Sequence, residues 1–290
     1  MERLIFENAL GEQIIFDKHG TYRWTQVDGL GGRVAVFQVA ISPYQDGAMP
    51  IGTGYFESRP VSISFIVHAD NVYDAIRELN AILNPKLGDG RLIYERDGIV
   101  RSMPRVRTRV LPSLPGGSSR GLRHQVSDVV FESYNPYFVD YAETEAEVTT
   151  GGLLFQFPLE ITDNYEFDYI NTQGTKVINS GDVDCPATLV LDGPMSSPLE
   201  IINDTLSQKI VLSMPLLENE RLVITTEIEN INVVKTDVVT GEQTVAFEYL
   251  DVAETDFFYL VKGENAIRIF AGEAEVEQTL IKFRQYYVGI

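Results

Sequence analysis

Carboxylates are the side chains of this sequence best placed to do chemistry: there are 42, against three histidines and one cysteine. Two of them held a few ångströms apart could hydrolyse a glycosidic bond, one as acid and the other as base or nucleophile. No spacing selects such a pair. Glu227 and Glu229, and likewise Glu273, Glu275 and Glu277, stand at alternate positions, the placement of a solvated strand face. His19, His68 and His124 lie far apart in polar or turn-like settings, so they do not gather into a metal or general-base site. Cys185 stands alone, can form no internal disulfide, and reads as a small core residue. The sequence has no His-Glu-x-x-His. Residues 115–121 (PGGSSRG) lack the Lys-Ser/Thr of a phosphate loop, and residues 28–32 (DGLGG) lack a following helix; both read as turns. Asn203-Asp204-Thr205 fits a glycosylation sequon, which matters only in a secretory pathway. No catalytic residue, cofactor site or metal site is expected, and the chain does not read as an enzyme.

Arginines form the second pointed group. Arg105, Arg107 and Arg109 alternate, with Val106 and Val110 on the opposite parity, so in a strand three guanidiniums share one face. Carboxylates must come to them from the rest of the fold or from a partner. Two readings stay open, a solvated strand face or a basic stripe facing another subunit or partner.

The elements that position these residues are mostly strands. Residues 61–67 (VSISFIV) alternate with a period of two, and residues 34–41 form a second strand candidate. The stretch between them, residues 42–58, is rich in proline and glycine and reads as a long loop. Loops of that length in compact domains serve function or contact, so it is flagged as a contact arm with Asp46, Met49 and Ile51 as candidate contact residues. Val72, Ile76, Leu79 and Leu83 make the one helical stripe, capped by Asp70 or Asn71. Asn84-Pro85 ends it, Gly88-Asp89-Gly90 turns the chain, and Asp97-Gly98 sets a hairpin. Residues 140–150 read as an acidic linker. Beyond it short β-branched runs recur, at 188–191, 201–202, 209–212, 222–226, 232–235, 245–249, 257–261, 266–270 and 279–283, separated by turns. That rhythm predicts a β-sandwich.

The net charge of −19 is unevenly spread: 15 basic against 16 acidic residues through Asp140, and 8 against 26 after it. Phosphate affinity rests on Lys and Arg, so direct nucleic-acid recognition by the second half is excluded. No apolar run approaches the roughly 18 residues of a membrane span. The N-terminus alternates like a strand rather than reading as an export signal, so synthesis in a cytoplasm is expected.

Several landmarks together resemble the siphophage distal tail (Dit) protein family. They are the helix ending in Leu83-Asn84-Pro85, then residues 88–94 (GDGRLIY) and the Asp97-Gly98 turn, and then residues 129–138 (VVFESYNPYF). In the second half, residues 152–158 (GLLFQFP), 179–183 (NSGDV), 201–203 (IIN) and 257–267 (FFYLVKGENAI) are similar to that family's C-terminal sandwich. The resemblance implies a mainly β chain. Residues 1–140 would be a ring-forming, sandwich-like domain with one helix and a hairpin. Residues 141–290 would be a galectin-like or carbohydrate-binding-module-like sandwich, and the last strand is open to either domain. It further implies a structural virion protein at the distal end of a long non-contractile phage or prophage tail, forming a homohexameric ring between the major tail (tube) protein and the tail-associated lysin or hub protein. A receptor-binding protein or a host cell-wall saccharide is the further partner it implies. A different class stays open, a carbohydrate-binding adhesion module using Trp24, Tyr165, Phe167 or Tyr169.

Overall fold

Alternation builds the first domain's strands, as it does at Val61, Ile63, Phe65 and Val67, all buried on one face of a ten-residue strand. The computed structural model describes residues 2–44, 46–148, 175–272 and 279–290. The first unit comprises Met1–Tyr141 and Tyr286–Ile290, the second Ala142–Gln285. Unit 1 contains β1 (Glu2–Glu7), β2 (Gln13–Asp17), β3 (Tyr22–Asp28), β4 (Val36–Ala40), β5 (Met49–Tyr55), β6 (Arg59–His68), helix α1 (Val72–Ile82), β7 (Gly90–Arg96), β8 (Ile99–Val110), β9 (His124–Ser133) and β10 (Phe138–Asp140). One sheet runs β10-β8-β7-β1-β2-β3-β6-β9, and β8 pairs again with β9. The sheet therefore closes on itself through seven strands, and the two layers expected of a sandwich are opposite walls of one barrel.

Its interior is filled by Leu4, Phe6, Phe16, Phe65, Leu92, Met103 and Phe131 among others. Phe6 stacks on Phe131 at 4.8 Å, and Phe16 meets Phe65 edge-on at 5.1 Å. Leu79, Ile82 and Leu83 of the helix region join the same core, with Val72 and Ile76 packed partly against it. The buried helix face thus leans toward Ala75 and Ile82, to one side of the predicted stripe. The Asn71 side chain caps the helix by accepting from the Tyr73 and Asp74 amides. Asn84 then caps a single 3₁₀ turn, Pro85–Leu87. Asp97 and Gly98 both take positive φ, 51° and 88°, and join Arg96 to its partner Ile99 in a two-residue hairpin.

Unit 2 contains β11 (Thr144–Val148), β12 (Thr175–Asn179), β13 (Ala187–Asp192), β14 (Leu199–Asn203), β15 (Gln208–Leu212), β16 (Glu220–Thr225), β17 (Asn232–Asp237), β18 (Gln243–Val245), β19 (Gly263–Ala271) and β20 (Thr279–Phe283). They form two antiparallel sheets, β11-β20-β13-β16-β17-β18 and β12-β19-β14-β15. Leu189, Leu191, Ile201, Leu222, Ile224, Ile267, Ile269 and Ile281 alternate along these strands and are buried, so each sheet hides one face, as a sandwich requires. Three buried asparagines secure its turns. Asn179 donates to the Val183 and Leu260 carbonyls, Asn265 bonds both the amide and the carbonyl of Val261, and Asn203 accepts from the Leu206 amide. The sequon residue Asn203 is thus a core group. After Gln285 the chain re-enters unit 1 as β21 (Tyr286–Tyr287), paired with β10.

Some local expectations give way to this structure. Residues 42–58 are not one loop, because β5 lies within them. The acidic stretch after Asp140 contains β11, paired with β20. Residues 257–261 form no strand; only Leu260 bridges, to Cys185. The run 245–249 ends its strand at Val245 and turns through a 3₁₀ segment, Phe247–Tyr249. The sequence landmark at 152–158, the aromatics Tyr165, Phe167 and Tyr169, and the acids Glu273, Glu275 and Glu277 lie outside the described residues.

Candidate functional site

The strands β4 and β5 form a two-stranded antiparallel sheet of their own, with Gln38 opposite Ile51 and Ala40 opposite Met49. Neither strand has a buried face within unit 1. Val34, Ile41, Met49 and Ile51 are 85%, 75%, 68% and 56% exposed, and Phe37, Val39, Tyr44 and Tyr55 are exposed with them. Asp46 sits in the turn at the tip, also exposed. An isolated hairpin is marginal in water, and one with an apolar surface on both sides is a contact element. Gly54, at φ +80°, leaves room for the Phe37 ring across the pair, where a Cβ would come within 2.7 Å. Asp46, Met49 and Ile51 therefore share this arm.

The arginine stripe lies on β8. Arg105, Arg107 and Arg109 are exposed while Val106 and Thr108 are buried, but Val110 faces solvent. Arg107 hydrogen-bonds Asp89, Arg105 lies 3.8 Å from the same carboxylate, and Arg109 reaches Glu132 at 3.1 Å. That hydrogen bond to Asp89 raises the pKa of Arg107. Unit 1 itself supplies carboxylates to all three, and two guanidiniums share Asp89. The stripe stands apart from the arm in sequence, yet Glu132 links them, since it also accepts from Ser58 Oγ at 2.5 Å, just beyond β5.

At the arm's root lies a residue that the sequence reading passed over. Arg59 is 1% exposed and donates to four main-chain carbonyls. Its Nε reaches Pro136 at 2.7 Å, its Nη1 reaches Gly29 at 2.9 Å and Gly31 at 2.7 Å, and its Nη2 reaches Val288 at 2.5 Å. Its guanidinium lies 5.0 Å from the Phe138 ring centre. Burial, helped by nearby Arg33, pushes its pKa down to about 10, so it stays charged at neutral pH. The signal was present in the sequence. Extending the period of two back from Val61 puts position 59 on the core face. Arg101 makes a second clamp, donating to the Gly289 carbonyl at 2.7 Å with its guanidinium 3.5 Å from the Tyr287 ring centre.

In unit 2 several acids are paired with bases: Asp192 with Arg221, Asp204 with Arg268, Glu220 with Lys235, and Glu145 with Lys282. Among the described residues no three His, Cys, Asp or Glu side chains gather as metal ligands. Trp24 packs partly against the barrel core. Burial pushes the Cys185 thiol up to about 12, with the Asp184 charge adding to it. No helix among the described residues is long and apolar enough to cross a membrane.

Residues 180–287 match the family model for the siphovirus-type tail component, C-terminal domain. None of the curated proteins matches the chain. Among solved structures, the SPP1 Dit protein, described as a paradigm of the hub adsorption apparatus in Gram-positive-infecting phages, aligns over 99% of both chains with a TM-score of 0.68 at 13% identity. Chains of the phage p2 baseplate in its activated conformation align over 98% of both chains. Their TM-scores are 0.58 at 12% identity with strontium and 0.56 at 11% identity with calcium. Residues 180–287 are thus similar to the siphovirus-type tail component domain, and the chain from end to end shares the fold of the SPP1 Dit protein.

Proposed function

We propose that this chain is a structural, non-catalytic part of a phage tail tip, closing into a six-copy ring through unit 1. In this reading the ring sits at the distal end of the tail, between the tail tube and the hub protein, and unit 2 serves the adsorption apparatus. The observation that carries the reading is the β4–β5 arm, several of whose apolar residues, Met49 and Ile51 among them, stay half or more exposed. The tail-component match and the Dit fold support the virion setting. A ring needs two different faces on each subunit, and an arm docking on the next copy supplies one of them. Met49 and Ile51 give that contact its apolar core, and Asp46 at the tip is placed to meet a basic group. The β8 stripe is a suitable counterpart, because Arg105, Arg107 and Arg109 present three exposed guanidiniums on one face of the strand.

The test is a paired substitution on the arm, Met49→Glu with Ile51→Lys, both exposed in the single chain and therefore harmless to its fold. Native mass should fall from a closed ring to single chains while the circular dichroism stays unchanged. A ring that persists would overturn the arm as the contact. Reversing Arg105 and Arg107 to Glu should weaken the ring in a salt-dependent way; no change would remove the stripe from the interface.

A further inference from the structure

The segment that returns to unit 1 after unit 2 does more than add a short strand. Tyr286 and Tyr287 pair with Val139 and Phe138. Beyond them the chain runs to the root of the arm. The Ile290 amide donates to the Leu30 carbonyl at 3.2 Å, and Gly289 lies so close to Gly31 and Gly32 that a Cβ would meet their main chain at 3.2 Å. Val288 supplies one of the four carbonyls around Arg59, and two of the others, Gly29 and Gly31, belong to the turn that leads into β4. On the other side of the arm, Tyr286 lies 5.9 Å from Tyr137, whose ring meets Phe56 just after β5 at 6.0 Å. Both ends of the arm are thus held by the returning segment or by groups it touches. The barrel does not depend on it, because β8 and β9 close the sheet without β21.

We propose that residues 286–290 are a latch that sets the root of the arm. The inference rests on the reading of the arm as the assembly contact. Residues 29–60 can be translated and the barrel closed while the latch still lies downstream of residues 142–285. The arm therefore becomes fit for assembly only after unit 2 has been made and the chain has come back. Without the latch, Arg59 loses the Val288 carbonyl, Arg101 loses the Gly289 carbonyl, and the Leu30 carbonyl loses its donor. The arm then pivots on an open root while the core stays packed. Ring closure is in this way coupled to completion of the second unit, which keeps nascent or truncated chains out of the ring.

The experiment compares the full chain with one ending at Gln285, using hydrogen exchange of residues 29–58 at a concentration where both are single chains, together with native mass at high concentration. The latch predicts that this segment exchanges about tenfold faster or more in the shortened chain, while strands β1, β2 and β7 keep their protection. It also predicts that the shortened chain does not form rings and that the peptide RQYYVGI, added in excess, restores both properties. Full-length Gly289→Val should show the same loosening, since its side chain would push the segment off Gly31 and Gly32. Equal exchange in the full and shortened chains overturns the latch whatever their masses. A full chain that never assembles overturns the ring instead, and the exchange comparison then decides the latch by itself.

Discussion

Replacing Arg59 by Met should loosen unit 1 far more than an ordinary surface change. The guanidinium serves four carbonyls in three separate segments, at 2.5 to 2.9 Å. Each hydrogen bond from a charged donor contributes about 1.5–3 kcal/mol, and each buried carbonyl left dry costs about 1–3 kcal/mol. The opposing term is real: the substitution also removes a buried charge, whose desolvation is visible in the depressed pKa. Water entering at Gly31 and Val288 lowers the loss further, so a net destabilisation of about 3–5 kcal/mol is expected, the range for breaking a buried charged network. Trp24, the only tryptophan, lies in β3 and reports unit 1 alone. With a urea slope of about 2 kcal/mol/M, its fluorescence midpoint should fall by about 2 M. Arg59→Lys should recover little, because one ammonium cannot reach carbonyls arranged for a planar fork. A midpoint within about 0.3 M of the parent would refute the reasoning, since it corresponds to less than 1 kcal/mol.

Other outcomes follow from single groups. Gly29, at φ +98° with the Pro60 carbonyl 2.3 Å from any added Cβ, should not accept alanine; a clear drop in the Trp24 midpoint of Gly29→Ala checks this. Cys185 should resist thiol reagents in the folded chain and react on denaturation, as labelling followed by mass measurement would show; fast native labelling would contradict its burial. Tyr22 donates to the Ala75 carbonyl at 2.9 Å, and burial, with the Glu78 charge adding to it, pushes its pKa up to about 12. Its folded pKa exceeds the unfolded one, so its contribution is whole below pH 10 and is lost as pH rises toward 12. The parent should therefore be about 1 kcal/mol more stable than Tyr22→Phe at pH 8 and lose that advantage in urea titrations above pH 10; a constant difference across this range would count against it.

How much of this was legible in the sequence depended on how local the cause was. The helix end and hairpin between residues 83 and 98 follow from Asn84, Pro85, Gly88 and the Asp97-Gly98 pair, all of which act on their own backbone. The alternation of residues 61–67 marked a buried face because one exists. β5 escaped notice for the opposite reason: MPIGTGY is exposed on both faces, so no period marks it, and its glycines and proline resemble a loop. β11 was hidden by its acids, which a two-sheet unit tolerates on a strand that, among the described residues, pairs only with β20. The run 257–261 is apolar enough for a strand, yet Phe258 and Leu260 enter the core from an irregular segment with a single bridge. Pairing of β8 with β9, and of β10 with β21, joins distant segments, and nothing local announces it. For the site, the arm was visible as a stretch too long to be an idle loop. The three arginines shared a face as their spacing required, though their carboxylates, Asp89 and Glu132, could be found only in space.

The most direct test of the assembly account is the native mass of the full chain over a range of concentration, with and without the Met49→Glu, Ile51→Lys pair. The account predicts a closed six-copy species for the parent and single chains for the pair. A parent that stays single at every concentration and with the tail tube protein added, or a six-copy species that the arm substitutions leave intact, would contradict it.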